Sequence, residues 1–314
     1  MLDEKIAALE AQLEHMSKPE YVIGVAYPFS GRLDWWSEGA TPILETAIRD
    51  VQDMLNETGS KISIRFILAD SGPQDEGPLE ATRSLVEQGA HVIVGLPTSG
   101  ELEGALDYIE EVGVPVISPA STANRLSRPD CVYRLSTPEN YRARVGAELG
   151  IKMGYKRVVV LYRDDQWGPG YAETVEGIFR GVGLKAHSIA FEPSHVFYAN
   201  YSDVVREAEQ NVAGHEEDTL IYMVTWENED YGILNEARKS PALSECKCFT
   251  AALYPSVIEE TTMFGMAHGI RDFAIKVGLW APEQRPIVRE LTTELMEGAR
   301  AELEWYPSYE HVYL

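Results

Sequence analysis

Hydroxyl-bearing residues gather in two short loops, Leu96-Pro97-Thr98-Ser99-Gly100 and Pro119-Ala120-Ser121-Thr122-Ala123, each following an apolar, β-branched run. Thr98, Ser99, Ser121 and Thr122, together with backbone amides around Ala120, bring donors to the lip of one lobe, and such a lip suits a carboxylate. The same residues at strand-to-helix junctions also serve as helix N-caps. The two readings are compatible, because exposed amides at a helix N-terminus favour a capping oxygen and a ligand anion alike. The pairing of two such loops favours a site.

The elements that must position these loops follow from periodicity. Runs 91–95 and 114–118 read as buried parallel strands, and Leu102, Leu106 and Ile109 form one stripe on a helix over 100–111. That is a βαβ unit, right-handed by default. Ligands of open parallel sheets gather outside the carboxyl ends of the strands, where both loops fall. Upstream, strand 21–27, helix 37–58, strand 61–69 closing on Asp70, and helix 77–89 complete a doubly wound pattern. The loop after the first strand carries Trp35 and Trp36, which suit either burial under a neighbouring loop or a stacking wall over a ligand.

Between 125 and 141 come Pro129, Pro138 and one short apolar run, 132–135, read as a crossing strand and candidate hinge. A second series follows: helix 141–153, strand 157–162, helix 171–181, strand 184–191, helix 201–211, strand 219–224, loop 225–230, helix 231–240 and strand 247–252, then strand 273–279 and helix 287–301. The expected class is α/β, with two doubly wound Rossmann-like lobes and an interlobe cleft. A short N-terminal helix over 1–18 precedes them, in which Leu2, Ile6, Leu9, Leu13 and Met16 make an a/d seam. That seam is a candidate dimer contact, a stub of a longer stalk, or a face packed on the body.

Composition narrows the function classes. The formal net charge of -23 over 314 residues disfavours nucleic acid and anionic membrane as partners. Cys131, Cys246 and Cys248 make no paired framework and read as structural thiols. No apolar run of 18 residues is present. The seven histidines show no metal or triad spacing, and Pro28-Phe29-Ser30-Gly31 lacks the glycines of a dinucleotide loop, so neither a metal, a cofactor nor an enzymatic role is expected.

The order of motifs IGVAYPFSGRLDWW, the Asp70 strand end, VIVGLPTSGE, VPVISPASTANRL and VVVLYRDDQWGPGYAETV resembles the type I periplasmic binding proteins of the leucine/isoleucine/valine-binding kind, over roughly 20 to 280. The resemblance implies that fold, with lobe 1 over 20–140 and 282–314 and lobe 2 over 141–281, hinged near 136–142 and 278–284. It implies an extracytoplasmic receptor that captures a small carboxylate-bearing ligand, an amino acid in the first instance, and delivers it to an ABC transporter permease. Related lobes also form sensory ectodomains, which is the alternative output. Carried over by position, Ser99 binds the ligand carboxylate, Ala120 and Thr122 hold carboxylate and ammonium, Trp36 stands near the side-chain pocket, and Trp167 closes over the ligand.

Two departures stand against the family pattern. The acid that often takes the ligand ammonium is missing from Leu253-Tyr254-Pro255-Ser256, and Glu227 in the preceding loop is the candidate substitute, with a solvated surface acid as its alternative reading. Without such an acid the ligand is expected to lack an ammonium, and the loop aromatics Trp36, Trp167, Trp226 and Tyr254 point to a flat or apolar group. The family also continues into a final hairpin and crossover beyond Leu314, which leaves a truncated chain or a shortened member as the two readings.

Overall fold

The computed structural model describes residues 18–31, 34–72, 76–194 and 199–251. The heptad seam, the strand at 273–279, the helix at 287–301, Tyr254 and the side chains of Trp35, Trp36 and Glu227 lie outside the described residues.

The described residues divide into two compact units, the first holding those up to Ser121 with Pro129–Ser136, the second Thr122–Arg128 and the described residues from Thr137 onward. In unit 1 the strands β1 (Glu20–Tyr27), β2 (Ser63–Asp70), β3 (Val92–Gly95), β4 (Val116–Ser118) and β5 (Val132–Arg134) form an all-parallel sheet in the order β2-β1-β3-β4-β5. The run at 132–135 is therefore the outer strand of this sheet rather than a crossing strand. Val132 is buried and Tyr133 exposed, the alternation of a strand covered on one face. Helices α1 (Asp34–Glu57), α2 (Gly77–Glu87) and α3 (Ser99–Val112) follow β1, β2 and β3. The expected stripe of α3, Leu102, Leu106 and Ile109, is buried, and Gly113 ends the helix at φ +69°, a left-handed position that glycine takes without steric cost.

Unit 2 repeats the plan with β6 (Arg157–Arg163), β7 (Lys185–Phe191), β8 (Thr219–Val224) and β9 (Lys247–Thr250) in the order β7-β6-β8-β9, again all parallel. Every residue of β8 is buried, as expected of a strand covered on both faces, whereas β7 at the edge is only partly covered. Along β6, Val158 and Val160 join one core and Val159 and Leu161 the other, because successive side chains point to opposite faces. The first core is closed by α4 (Glu139–Lys152) and α5 (Gly168–Gly181), the second by α6 (Ser202–Val212) and α7 (Glu227–Ala237). Helix α4 meets β8 through small residues. A Cβ on Gly146 would stand 2.1 Å from the Tyr222 hydroxyl and one on Gly150 2.7 Å from Leu220, so the backbone approaches more closely than a larger residue allows.

Helix α7 begins four residues before the position expected from its apolar periodicity, and most of the expected loop 225–230 is its first turn. The acids explain the shift: the Trp226 amide donates to Glu229 at 2.6 Å and the Thr225 hydroxyl to Asp230, and carboxylates are favoured at a helix N-terminus. Burial raises the Cys246 thiol to about 12 and the Cys248 thiol as well, which suits inert structural thiols.

Gly95 is where β3 turns into the hydroxyl loop. It sits at φ +137°, and a Cβ there would be 1.8 Å from the Ala26 carbonyl oxygen. Gly95→Ala is expected to cost roughly 3 kcal/mol or more, since clash and backbone strain add. Gly177→Ala, in α5 with open space around it, should be stabilising by about 0.5–1 kcal/mol. Chemical denaturation of the two variants measures the contrast, and equal midpoints would contradict it.

Candidate functional site

The site in unit 1 is built where β1, β3 and β4 end. After Gly95 the backbone of Leu96 takes φ +50°, unusual for a non-glycine residue, yet Leu96 is fully buried. Hydrogen bonds hold it there: its amide donates to Ala26 O at 2.9 Å and its carbonyl accepts from the buried Ser118 hydroxyl at 3.0 Å. Ser118 thus ties the loop after β3 to the strand of the loop after β4. The Ser136 hydroxyl donates to Pro119 O at 2.9 Å and anchors that second loop in turn.

Thr98 is the N-cap of α3 and closes a capping box with Glu101: the Glu101 amide donates to the Thr98 hydroxyl at 3.2 Å, and the Thr98 amide donates to the Glu101 carboxylate at 3.0 Å. The Thr98 side chain is therefore engaged in the cap. Ser99, one residue into the helix, is turned to the second loop, and its hydroxyl lies 3.3 Å from that of Ser121. Both are buried, at 7% and 1% exposure. Ala120 is half-buried beside them in sequence. The lip so formed holds two hydroxyls at the N-terminal end of a 14-residue helix, where the helix dipole favours negative charge.

The Asp70 strand end serves the neighbouring loops. Its carboxylate accepts from the Ser30 amide at 3.2 Å, from the Ser30 hydroxyl, and from the Gly72 amide at 2.9 Å, clamping the turns after β1 and β2 to each other. Glu101 reaches the same region through the Ser71 hydroxyl, which donates to it at 2.6 Å.

In unit 2 the structure gathers Thr122 and Trp167 around a residue the sequence reading did not single out, Glu139. The Glu139 side chain is 1% exposed. Its Oε1 accepts from the Thr122 hydroxyl, from the Trp167 indole N–H at 2.6 Å and from Arg142 at 3.0 Å. Trp167 is the N-cap of α5, fixed from below by Asp165, whose Oδ1 accepts from the Trp167 and Gly168 amides at 2.8 and 2.9 Å. Its ring packs edge-on against Tyr171 at 5.9 Å. Asp165 is held by Arg163, a buried guanidinium that donates to Asp165 at 2.6 Å and Glu229 at 3.2 Å and lies 3.8 Å from the centre of the Trp226 ring. Burial raises the Glu229 carboxyl above its ordinary range, and the Arg163 charge opposes the rise. Trp36 and Glu227 fall in the first turns of α1 and α7.

Glu101 and Glu139, which the sequence reading did not single out, carried signals in the sequence. Thr98 and Glu101 have the T-x-x-E spacing of a capping box, and Glu139 follows Pro138 at a helix start. No local pattern says that Glu139 is buried, because the groups that bury it come from 17 residues before it and 28 after it.

A family profile described as periplasmic binding protein matches residues 20–266. Among curated proteins, a Leu/Ile/Val-binding protein homologue of Brucella melitensis is 25% identical over 168 residues, covering 52% of this chain and 45% of its own length. The chain spans about half the length of the curated relatives it matches. Among solved structures, the leucine-binding protein LivK of Thermotoga maritima aligns with a TM-score of 0.73 at 17% identity, over 93% of this chain and 79% of that one. A substrate-binding protein of an ABC transporter from Desulfitobacterium hafniense, in complex with Leu, aligns at 0.63 and 22% identity, over 94% and 81%. Both show the shared fold.

Burial is the largest influence on Glu101 and raises its carboxyl above 4.5, with the Ser71 and Thr98 hydrogen bonds working the other way. The folded state then holds a proton that the unfolded chain releases as pH rises past 4.5, so the Glu101 contribution to stability falls with rising pH through that window. Glu101→Gln is expected to flatten this part of the stability curve in urea unfolding from acid to neutral pH. Glu101→Ala should cost about 1–2 kcal/mol through loss of the cap.

Proposed function

The chain belongs to the periplasmic binding protein family, and on that premise we propose that it is an extracytoplasmic receptor for a small carboxylate-bearing solute, an amino acid in the first instance, which it passes to an ABC transporter permease. The observation that carries the reading is the pair of buried hydroxyls, Ser99 and Ser121, 3.3 Å apart at the start of α3. A carboxylate placed there accepts from both hydroxyls and meets the positive end of the helix, and hydrogen bonds to a charged acceptor are about twice as strong as neutral ones. Thr98 contributes by fixing the helix start and Ala120 by presenting backbone beside Ser121. Thr122, Trp167, Trp36, Glu227 and Tyr254 complete the proposed set of ligand residues.

Recognition of this kind needs only donors, a dipole and an apolar wall. The reading is one of binding and release without chemical change of the solute. The names of the Leu/Ile/Val-binding relatives support an amino acid with an aliphatic side chain as the first ligand to try.

A thermal-shift screen of amino acids and simple carboxylates tests the proposal. A ligand at 100 times its dissociation constant stabilises the folded state by roughly 2.7 kcal/mol, enough to move the midpoint visibly. Replacing both hydroxyls, in Ser99→Ala with Ser121→Ala, should weaken the best hit by about 10-fold or more. Silence across all carboxylates, or unchanged affinity in the double variant, would sink this reading.

A further inference from the structure

Two loops of unit 2, each led by a tryptophan, are held by one buried cation. From that geometry we propose that Arg163 is a positioning residue: it fixes the loop of Trp167 and the loop of Trp226 to each other, so that the two indoles are set together. A role for these indoles toward a solute rests on the receptor reading above, whereas the coupling of the loops through Arg163 does not.

Arg163 ends β6, the strand that lies between β7 and β8 in the sheet. Each part of its guanidinium serves a different loop. Nε donates to Asp165 Oδ2 at 2.6 Å, and Oδ1 of the same carboxylate accepts from the Trp167 and Gly168 amides at 2.8 and 2.9 Å. Nη1 donates to Glu229 Oε2 at 3.2 Å, the oxygen that also accepts from the Trp226 amide at 2.6 Å. The guanidinium carbon lies 3.8 Å from the centre of the Trp226 ring, within the range of a cation stacked on an indole. The backbone of the same residue closes the first loop. A Cβ on Gly168 would stand 1.9 Å from the Arg163 carbonyl oxygen, so α5 starts against Arg163 more closely than a larger residue allows.

An ion pair kept for stability alone has no need of this layout, because apolar groups of similar volume replace such a pair at little cost. Here two acids share one cation, and each of them also accepts from the backbone amide of a tryptophan. The Arg163 side chain is 4% exposed and that of Glu229 1%, so water screens little of the pull that one carboxylate transmits to the other through the guanidinium. Arginine suits the task where lysine does not, since its N–H groups point in fixed directions and its flat face stacks on a ring. Aromatic groups fixed before a solute arrives need less ordering on binding.

The test reads the six tryptophans of the full chain, labelled as 5-fluorotryptophan, by fluorine NMR, with each resonance assigned by its own Trp→Phe replacement. Asp165→Asn and Glu229→Gln each remove one charge beside Arg163 and keep an oxygen that can accept from the local amide. Asp165→Asn is expected to shift the Trp226 resonance as well as that of Trp167, and Glu229→Gln to shift Trp167 as well as Trp226. Arg163→Lys should shift both and break the link, so that adding Glu229→Gln to it then leaves Trp167 in place. Trp35 and Trp36, in unit 1, should hold their positions throughout. Carboxylate variants that each move only the tryptophan of their own loop overturn the proposal. So do variants that move Trp35 and Trp36 equally, which is the mark of general loosening. If Arg163→Lys fails to fold, the two carboxylate variants decide the matter. The spectra are recorded without solute, so a silent solute screen sinks the receptor reading alone, and the absence of cross-loop shifts sinks the coupling alone.

Discussion

Parallel strands can be joined only by crossovers, and among the described residues these are α-helical except from β4 to β5, which are linked through a short 3₁₀ turn at Asn124–Leu126, so the carboxyl ends of the strands in a sheet and the N-termini of the helices that follow them share one edge. In unit 2 the described helices pack against both faces of the sheet. The loops on that edge are therefore where polar chemistry collects. Their geometry rests on a few tight backbone contacts. Gly95 against Ala26 and Gly72 against Ser30 are approaches at which a Cβ would overlap a carbonyl oxygen, and they let neighbouring strand ends converge.

The acidic composition takes on a structural meaning at this edge. Asp70 clamps two turns, Glu101 caps α3 while receiving the Ser71 hydroxyl, Asp165 caps α5, and Glu229 caps α7 while pairing with Arg163. Each places negative charge at a helix start or opposite backbone amides, where it is favoured. Burial and hydrogen bonding act in opposite senses on Glu101 and Glu229, and burial prevails at both. Such groups hold loops in one conformation, because losing a partner leaves a buried charge or polar atom unsatisfied.

Much of the architecture was legible. The alternation of apolar runs and amphipathic segments located the described strands and helices to within a few residues, and the full burial of β8 matches its unbroken apolar run. The misses have specific causes. Residues 132–135 read as a crossing strand because a three-residue strand has too few side chains to show which sheet it joins, and its place is set by pairing with β4. The start of α7 was displaced because acids in a helix first turn look, in a sequence, like a solvated loop.

At the site, local order and long-range packing divided the work. Composition, spacing and the hydroxyl loops determined by themselves the α/β class, the resemblance to solute receptors and the residues that bring donors to the strand ends, because helix period, strand period and cap chemistry are properties of neighbours in the chain. Tertiary structure alone decided that the Ser99 and Ser121 hydroxyls meet, that Thr98 is engaged in its cap, and that Glu139 is buried between Thr122 and Trp167. Those outcomes depend on which strands lie side by side and which helices pack together, and groups 17 to 28 residues apart leave no periodic trace in the sequence.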